Sequence, residues 1–381
     1  MAWLDNYDNL SSRDPKALAA EVSGLVKRHG AKAITQIRET YSRELLRISL
    51  RDVLGVGERA EIPGDLSALM DLTVRGALEA VRIDLDDDAT PGYEFSVIAM
   101  GRWGGSEIGY FSDADVMFVY RPLDANLGAE AKAKLSKHVN KIALQLATRL
   151  KASEGAQGVD LDADLRPEGK NGPLVRTFSS YEAYYAKWSQ PWEAQALLRA
   201  RPVAGDERLI DDFTRLIDPL RYPVEMTTKA LTQVRTLKAR MEDERLPRNA
   251  DKRRHLKLGR GSLSDVEWTV QLIQLQHAHD IPELRTTSTL PALRAAAARD
   301  LISADDADEL ATAWQLATDV RSAVMLFRGR TAQALPADYS ELEATARLLG
   351  YPAGGGHDLE DDYLRATRHA RAVMEHNFYG F

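Results

Sequence analysis

Apolar residues recur every three or four positions along the first part of the chain, which is the spacing of amphipathic helices. Leu18 and Val22 belong to one such stripe. The pattern predicts helices over residues 12–30, 32–54 and 64–83. Since each stripe needs a partner to cover it, the three helices are expected to pack together or against a neighbouring element.

The pattern changes after the third predicted helix. Short continuous apolar runs at residues 95–100 and 116–120 are rich in β-formers and predict two strands. Residues 129–152 return to helical spacing, whereas residues 158–178 predict a strand, a glycine-rich turn and another strand. From residue 224 to the end of the chain the spacing is helical again.

This order of elements predicts an α+β protein. A small mixed sheet with its own helices is expected to be flanked by helical segments and followed by a C-terminal helical bundle. The expected domains are a helical lead-in over residues 1–90, a mixed α/β domain over 91–222 and the bundle over 223–381.

Composition narrows the possible functions. The 381 residues carry a net charge of -7 and include no cysteine, which excludes disulfides, thiolate zinc sites and cysteine nucleophiles. The acidic balance argues against a nucleic-acid partner, because a grip on a phosphate backbone needs clustered Lys and Arg. No apolar run approaches the ~20 residues of a membrane-spanning helix, so membrane insertion is not expected either.

Asp113 and Asp115 stand two residues apart at the start of the second predicted strand. Because strand side chains alternate, both carboxylates are expected on one side of the sheet. Adjacent carboxylates repel each other unless a cation lies between them, and Mg²⁺ prefers carboxylate oxygens and shares its ligands with phosphates. The spacing therefore predicts a magnesium site.

Gly104 and Gly105 lie just upstream of the acidic pair. Paired glycines allow backbone N–H groups to approach a phosphate closely. Either feature alone is common, as a solvated strand end or an ordinary turn. Their combination, flanked by two predicted strands, resembles the signature of the nucleotidyltransferase superfamily.

A third acid is expected on a neighbouring strand. Asp160, Asp162 and Asp164 alternate along the segment VDLDADLRP and would share one face of a strand there. On physical grounds any of the three could complete the site, and a solvated acidic edge strand without a metal is equally compatible with the spacing.

Four segments, in order, carry a wider resemblance that extends from about residue 45 to the C-terminus. They are IAMGRWGGSEIGYFSDADVMFVY, DADLRPEGKNGPLV, SYEAYYAKWSQPWEAQALLRARPVAGD and KLGRGSLSDVEWTVQLIQ. The chain resembles the glutamine synthetase adenylyltransferase family, bacterial enzymes with duplicated nucleotidyltransferase halves. The resemblance implies a polymerase-β-like nucleotidyltransferase domain over residues 91–222.

The resemblance also implies roles for individual residues. Metal and catalytic roles fall on Asp113 and Asp115, and the third acid falls on Asp162. Nucleotide contacts are implied for Arg102, Gly104, Gly105, Ser112, Arg166 and Lys170. The chain departs from the family pattern where Arg102 replaces a usual Lys, Trp103 a usual Leu and Asp164 a usual Arg.

The implied reaction moves AMP from ATP to a tyrosine of glutamine synthetase with two Mg²⁺ ions, and so regulates nitrogen assimilation. Glutamine synthetase is the expected protein substrate, a PII-type nitrogen signal protein is a candidate partner, and the bacterial cytoplasm is the expected location. The segment IGYFSDADVMFV resembles the transferase half, so the chain is expected to be the C-terminal part of a longer protein.

Three alternatives stay open. The half that removes AMP by phosphorolysis would use the same metals, and an RNA-tailing nucleotidyltransferase shares the catalytic signature, although the acidic pI of about 5.7 counts against it. A non-catalytic regulatory module is the third, and the intact pair Asp113 and Asp115 argues against it.

Overall fold

The computed structural model describes residues 10–86, 90–152, 157–188, 190–244, 246 and 251–380. The β-strands are β1 (Tyr93–Ala99), β2 (Ala114–Pro122), β3 (Leu161–Asp162), β4 (Val175–Thr177) and β5 (Arg201–Gly205). The α-helices are α1 (Pro15–His29), α2 (Ala33–Leu54), α3 (Ile62–Leu85), α4 (Gly101–Gly104), α5 (Ala129–Leu150), α6 (Phe178–Trp188), α7 (Pro191–Leu197), α8 (Glu207–Arg221), α9 (Thr228–Glu244), α10 (Leu263–His277), α11 (Thr289–Ala298), α12 (Ala304–Arg328), α13 (Tyr339–Leu348) and α14 (Gly356–Met374). Helices combined with a mixed five-stranded sheet agree with the predicted α+β class.

The first three predicted helices are confirmed: five of their six ends lie within two residues of the prediction, and α1 begins at Pro15, three residues after its predicted start. Helix α1 begins after Asp14, whose side chain accepts a hydrogen bond from the amide of Lys16, and it ends at Gly30, which has a φ of 53°. Helices α1 and α3 pack closely at Gly76, where a Cβ would lie 2.4 Å from Val22 Cγ1. The apolar stripes are therefore covered by each other.

Strand β1 forms the centre of the sheet with β2, and the two are antiparallel over Tyr93–Ala99 and Ala114–Pro122. Strand β5 pairs antiparallel with the other edge of β1. Strands β3 and β4 follow one another along the free edge of β2, and both run parallel to it. The start of β2 and the whole of β3 therefore form one end of the sheet.

The prediction that Asp160, Asp162 and Asp164 share one strand face is wrong. Strand β3 consists only of Leu161 and Asp162. The chain turns immediately afterwards, because the amide of Asp164 donates to Asp162 Oδ1 at 2.8 Å. This short-range hydrogen bond competes with strand pairing, as Asp side chains commonly do at turns.

The chain divides into two compact units. One comprises the described residues up to 108, together with 112–188 and 199–217, and it holds both the lead-in helices and the sheet. The other comprises 109–111, 190–198 and the described residues from 218 onward. The three domains proposed from the sequence stay a prediction, and the helices before residue 90 share a unit with the sheet.

The second unit is helical over most of its described length, as the sequence predicted. Its helices α10, α12 and α14 pack against one another. A cluster of Val234, Leu272, Met374 and Phe378 lies at its core. Gly261 has a φ of 72°, and a Cβ there would lie 1.7 Å from a backbone carbonyl oxygen of α14, so the loop before α10 needs glycine at this position.

Among the described residues, no helix combines the length and the apolarity that crossing a bilayer would require.

Candidate functional site

Two acidic residues lie side by side on neighbouring strands. In the parallel pairing of β2 with β3, Ala114 is aligned with Leu161 and Asp115 with Asp162. The amide of Ala114 fixes this register by donating to the carbonyl of Asp160 at 2.8 Å. Aligned residues of neighbouring strands point to the same face and lie ~4.8 Å apart along the hydrogen-bonding direction. Of the three acids left open by the sequence, the structure therefore brings Asp162 to Asp115.

Asp113 lies immediately before β2 and is exposed, whereas Asp115 and Asp162 are half-buried. Ser112 is half-buried beside it in the chain. Among the described residues, no three His, Asp or Glu side chains converge closely enough to enclose a metal ion. The acidic residues at this end of the sheet therefore form an open group.

A one-turn helix, α4, connects β1 to this site. We call residues 101–105 the glycine turn. The amide of Met100 donates to the carbonyl of Asp115 at 2.8 Å, which anchors the start of the turn to β2. Gly101 has a φ of 53°, and a Cβ there would lie 2.1 Å from Asp115 Oδ2. Only glycine allows the turn to begin against this carboxylate.

Gly104 and Gly105 serve the turn in a way that the sequence did not predict. Their amides donate to the carbonyls of Met100 and Gly101, at 2.8 and 3.1 Å, so these N–H groups are used inside the turn. A Cβ on Gly104 would lie 1.8 Å from the carbonyl oxygen of Arg199. Glycine is thus needed at position 104 because the turn packs closely against the chain before β5. Phosphate binding by Gly104 and Gly105 stays a prediction.

Arg102 is held by the loop that follows the turn. Its Nε donates to the carbonyl of Glu107 at 2.8 Å, and the Glu107 amide donates back to the Arg102 carbonyl. The Glu107 carboxylate forms a buried ion pair with Arg199 at 2.7 Å. Arg102 is therefore hydrogen-bonded to a loop that is itself ion-paired to Arg199, and the nucleotide contact that the resemblance implies for it stays a prediction.

The loop between β3 and β4 contains the other two predicted phosphate partners. The buried Arg166 donates to the carbonyl oxygens of Ala163 and Gly172, at 2.6 and 3.2 Å, so it braces the loop from inside. Lys170 is exposed and lies 3.1 Å from Asp164 Oδ2. Their contact with a nucleotide stays a prediction, and the observed role of Arg166 is to shape the loop.

Two residues beside the glycine turn were missed by sequence reasoning. Asp71 on α3 accepts hydrogen bonds from the Trp103 indole and from Arg201 on β5. Asp71 and Arg201 are 130 positions apart, so no local sequence pattern connects them. The one available signal was the replacement of a usual Leu by Trp103, whose N–H needs an acceptor when the ring is buried.

Comparison with known proteins identifies the family. Residues 2–216 match the family model described as "Glutamate-ammonia ligase adenylyltransferase". The chain belongs to this adenylyltransferase family. Residues 235–378 match a second model, described as "GlnD PII-uridylyltransferase".

Relatives of this adenylyltransferase family cover the whole chain. A protein of Leifsonia xyli subsp. xyli named "Bifunctional glutamine synthetase adenylyltransferase/adenylyl-removing enzyme" is 49% identical over 382 residues, covering 100% of this chain. Proteins of the same name from Streptomyces avermitilis and Mycobacterium avium are 48% and 43% identical, each over 97% of the chain. The chain spans 37–38% of the length of these relatives.

The residues present suit the magnesium that the adenylyltransferase resemblance implies. Asp115 and Asp162 offer carboxylate oxygens from adjacent strands in register, which is the donor type that Mg²⁺ prefers. Mg²⁺ commonly takes only one or two protein carboxylates and completes its octahedron with water and substrate phosphates. An open acidic group beside the glycine turn fits this requirement.

Gly101→Ala tests whether the glycine turn must touch Asp115. The new Cβ would force the carboxylate away, and we expect at least a tenfold loss of AMP transfer with a stability loss of about 1–2 kcal/mol. Gly55→Ala is the matched control, because Gly55 has a φ of 66° but no atom within 4 Å of the added Cβ. The control should lose similar stability in thermal unfolding but keep its activity; equal activity losses would contradict the assignment.

Asp162→Asn tests the choice among the three acids. The change keeps an acceptor for the Asp164 amide but removes the charge opposite Asp115, so we expect about a 100-fold lower kcat. Asp160→Asn and Asp164→Asn should keep kcat within about threefold of wild type, because of the three acids only Asp162 is aligned with Asp115. If Asp164→Asn were the most damaging change, the assignment would be wrong.

Proposed function

We propose that this chain is an adenylyltransferase that moves AMP from ATP to a tyrosine of glutamine synthetase, using two Mg²⁺ ions. The observation that carries the proposal is the register of Asp115 with Asp162 beside the glycine turn. Family membership and the names of the relatives support the same activity. The proposal includes a polymerase-β-like fold for the sheet and a bacterial cytoplasmic location.

In the proposed reaction, the tyrosine oxygen attacks the α-phosphorus of ATP and the bond to the β-phosphate oxygen breaks. Pyrophosphate leaves, and the phenol proton passes to Asp162. The phenol needs this base because its pKa is ~10. Asp113, Asp115 and Asp162 would hold the metal ions, which when bound compensate the charge of the attacking and leaving oxygens.

The remaining contribution of the chain is positioning. The Asp164 amide hydrogen bond orients the Asp162 carboxylate. The glycine turn lies against Asp115 and, with Arg102 and Ser112 nearby in the chain, would bring the triphosphate next to the metals. Most of the catalysis is thus assigned to orientation and charge compensation.

The proposed direction is addition of AMP, supported by the sequence GYFSDAD around the acidic pair. Removal uses the same in-line geometry, so an assay must separate the two. One reaction contains unmodified glutamine synthetase, Mg²⁺ and ATP labelled at the α-phosphate. A parallel reaction contains adenylylated glutamine synthetase, Mg²⁺ and inorganic phosphate.

Mass analysis should find one AMP added on a tyrosine in the first reaction and no ADP release in the second. ADP release without incorporation would assign the removal activity instead. Label transferred to added RNA would favour a tailing enzyme, and Mg²⁺-dependent ATP binding without any transfer would favour a regulatory module. Each outcome identifies a different function.

The proposal extends to a PII-type nitrogen signal protein as a partner. The support is the match of residues 235–378 to a model whose description names PII. Pull-down of purified PII protein by the chain, with and without ATP, tests this partner directly. Absence of binding in both conditions would remove the partner but leave the catalytic proposal intact.

A further inference from the structure

The glycine turn has few backbone hydrogen bonds of its own. Helix α4 has four residues, and the Trp103 carbonyl accepts from the Ser106 amide at 3.0 Å. Arg201 adds two further donors to this end of the turn from β5. Its Nε donates to the Gly104 carbonyl and its Nη2 to the Trp103 carbonyl, both at 3.1 Å.

Arg201 is itself fixed by Asp71 on α3. Its Nη1 and Nη2 donate to the two carboxylate oxygens of Asp71 at 2.6 and 3.1 Å, which is a bidentate pair. The Trp103 indole Nε1 donates to the same carboxylate at 2.8 Å, and its ring is buried. Helix, strand and glycine turn are thus joined by one hydrogen-bonded group.

The other end of the turn is the end that matters for chemistry. Gly101 lies against the Asp115 carboxylate, whereas the Arg201 contacts are two and three residues further on. Three helical residues span only about 4.5 Å. A shift of the clamped end is therefore transmitted to the contact with Asp115.

We propose that Asp71 and Arg201 are positioning residues that keep the glycine turn in its working place beside Asp115, and so set the affinity for Mg²⁺–ATP. The proposal rests on the function proposed above. Neither residue needs to touch the nucleotide, because both act through the backbone of the turn. Displacing reacting groups by about 1 Å can cost on the order of 100-fold in rate, so a loose turn would be costly.

The chain offers a matched control for this clamp. Arg82, also on α3, forms an ion pair with Asp206 just after β5 at 3.0 Å. The two arginines have similar side-chain exposure, 27% for Arg82 and 26% for Arg201. Arg82→Met therefore removes an ionic connection between the same helix and the opposite end of the same strand, without touching the glycine turn.

The experiment measures the Kd for an ATP analogue with a methylene group between the α- and β-phosphates, in Mg²⁺, alongside KM, kcat and Tm. Arg201→Met should raise both Kd and KM at least about tenfold, and Arg82→Met should leave them within about twofold. Arg201→Lys should fall between wild type and Arg201→Met, because a lysine can reach one carbonyl but cannot form the fork.

Asp71→Asn separates positioning from direct phosphate binding. If Arg201 bound the phosphates itself, loss of the Asp71 charge would release it and leave analogue affinity unchanged or improved. If the pair clamps the turn, Asp71→Asn should weaken binding several-fold even though an acidic residue has been removed.

The outcomes also separate this inference from the proposed function. Wild-type Kd and KM in Arg201→Met, or equal losses in Arg82→Met, would overturn the clamp while leaving the proposed function intact. A wild-type chain that binds the analogue but transfers no AMP would overturn the function, and the Kd values would still test the clamp. A wild-type chain that binds no analogue would overturn both.

Discussion

Asp115→Asn is expected to lower AMP transfer at least about 1000-fold while the fold stays intact. Asp115 lies in register with Asp162 and against Gly101, so its carboxylate is central to the acidic group. An asparagine cannot supply the negative charge that a magnesium ion needs. A 1000-fold loss corresponds to about 4 kcal/mol of transition-state stabilisation, a reasonable share for a metal ligand.

The stability of Asp115→Asn should rise or stay unchanged, although its activity falls. Two neighbouring carboxylates repel each other without a cation, so removing one charge relieves the folded state. Asp113→Asn should have the same two effects. Asp160→Asn is the control, since its exposed carboxylate lies 3.6 Å from Lys151 and its backbone carbonyl alone supports the site.

kcat/KM from labelled ATP and Tm from thermal unfolding provide the two measurements. Inactive Asp115→Asn and Asp113→Asn with unchanged Tm, beside an active Asp160→Asn, would support the metal site. Full activity in both site variants would remove that assignment, whatever happens to Tm.

Lys238→Met is expected to destabilise the helical unit by about 3 kcal/mol. Lys238 is 1% exposed, its Nζ bonds to Asp265, which is 0% exposed, and it lies 2.9 Å from Glu242 Oε1. Removing one partner of a buried ion pair leaves a charge uncompensated and commonly costs 3–5 kcal/mol. The lower end applies because Arg371 still reaches Asp265 at 3.0 Å.

Arg240→Met, on the same helix α9, is the matched control. Arg240 lies 3.4 Å from Glu244, and both side chains are about two-thirds exposed. Exposed pairs of this kind contribute at most ~0.5 kcal/mol. Because two compact units can unfold separately, hydrogen exchange of the amides in α10 and α14 is the appropriate measurement. Equal protection in the two variants would show that Arg371 alone balances Asp265.

Lowering the pH should reduce the difference in the free energy of unfolding between wild type and Lys238→Met. Burial by itself would raise the pKa of Glu242, but Lys238 and Arg371 outweigh it and hold that pKa below its usual range. A lowered folded-state pKa contributes stability above the unfolded value of about 4.3, and this is lost as the pH falls through the folded pKa. The variant has less of this contribution to lose.

The sequence alone determined the three lead-in helices and predicted the class of chemistry, whereas strand β5 was not predicted from it. Apolar periodicity located α1, α2 and α3, because each helix must bury one face whatever its partner. Turn and cap residues such as Asp14 and Gly30 carry their structural consequence locally, so they could be recognised without a fold. The acidic pair and the glycines likewise predicted a nucleotidyl-transfer site from residue type and spacing, and the family matches agree with that class of protein.

Only the tertiary structure decided which residues meet. Spacing left Asp160, Asp162 and Asp164 equivalent, and the pairing of β3 with β2 selected the one opposite Asp115. The close contact at Gly101 depends on the same strand pairing, since the carboxylate it touches comes from another element.

The Asp71–Arg201 pair is the clearest example of a contact that could not be predicted from the sequence. Strand β5 pairs with β1 so that Arg201 stands opposite Ala99, two residues before the glycine turn begins at Gly101. Packing of α3 in the same unit then brings Asp71 to that guanidinium. Local sequence specifies helices and strands because their hydrogen bonds and burial patterns repeat over a few residues. Contacts across 130 residues depend on how the elements pair and pack, so only the folded chain reveals them.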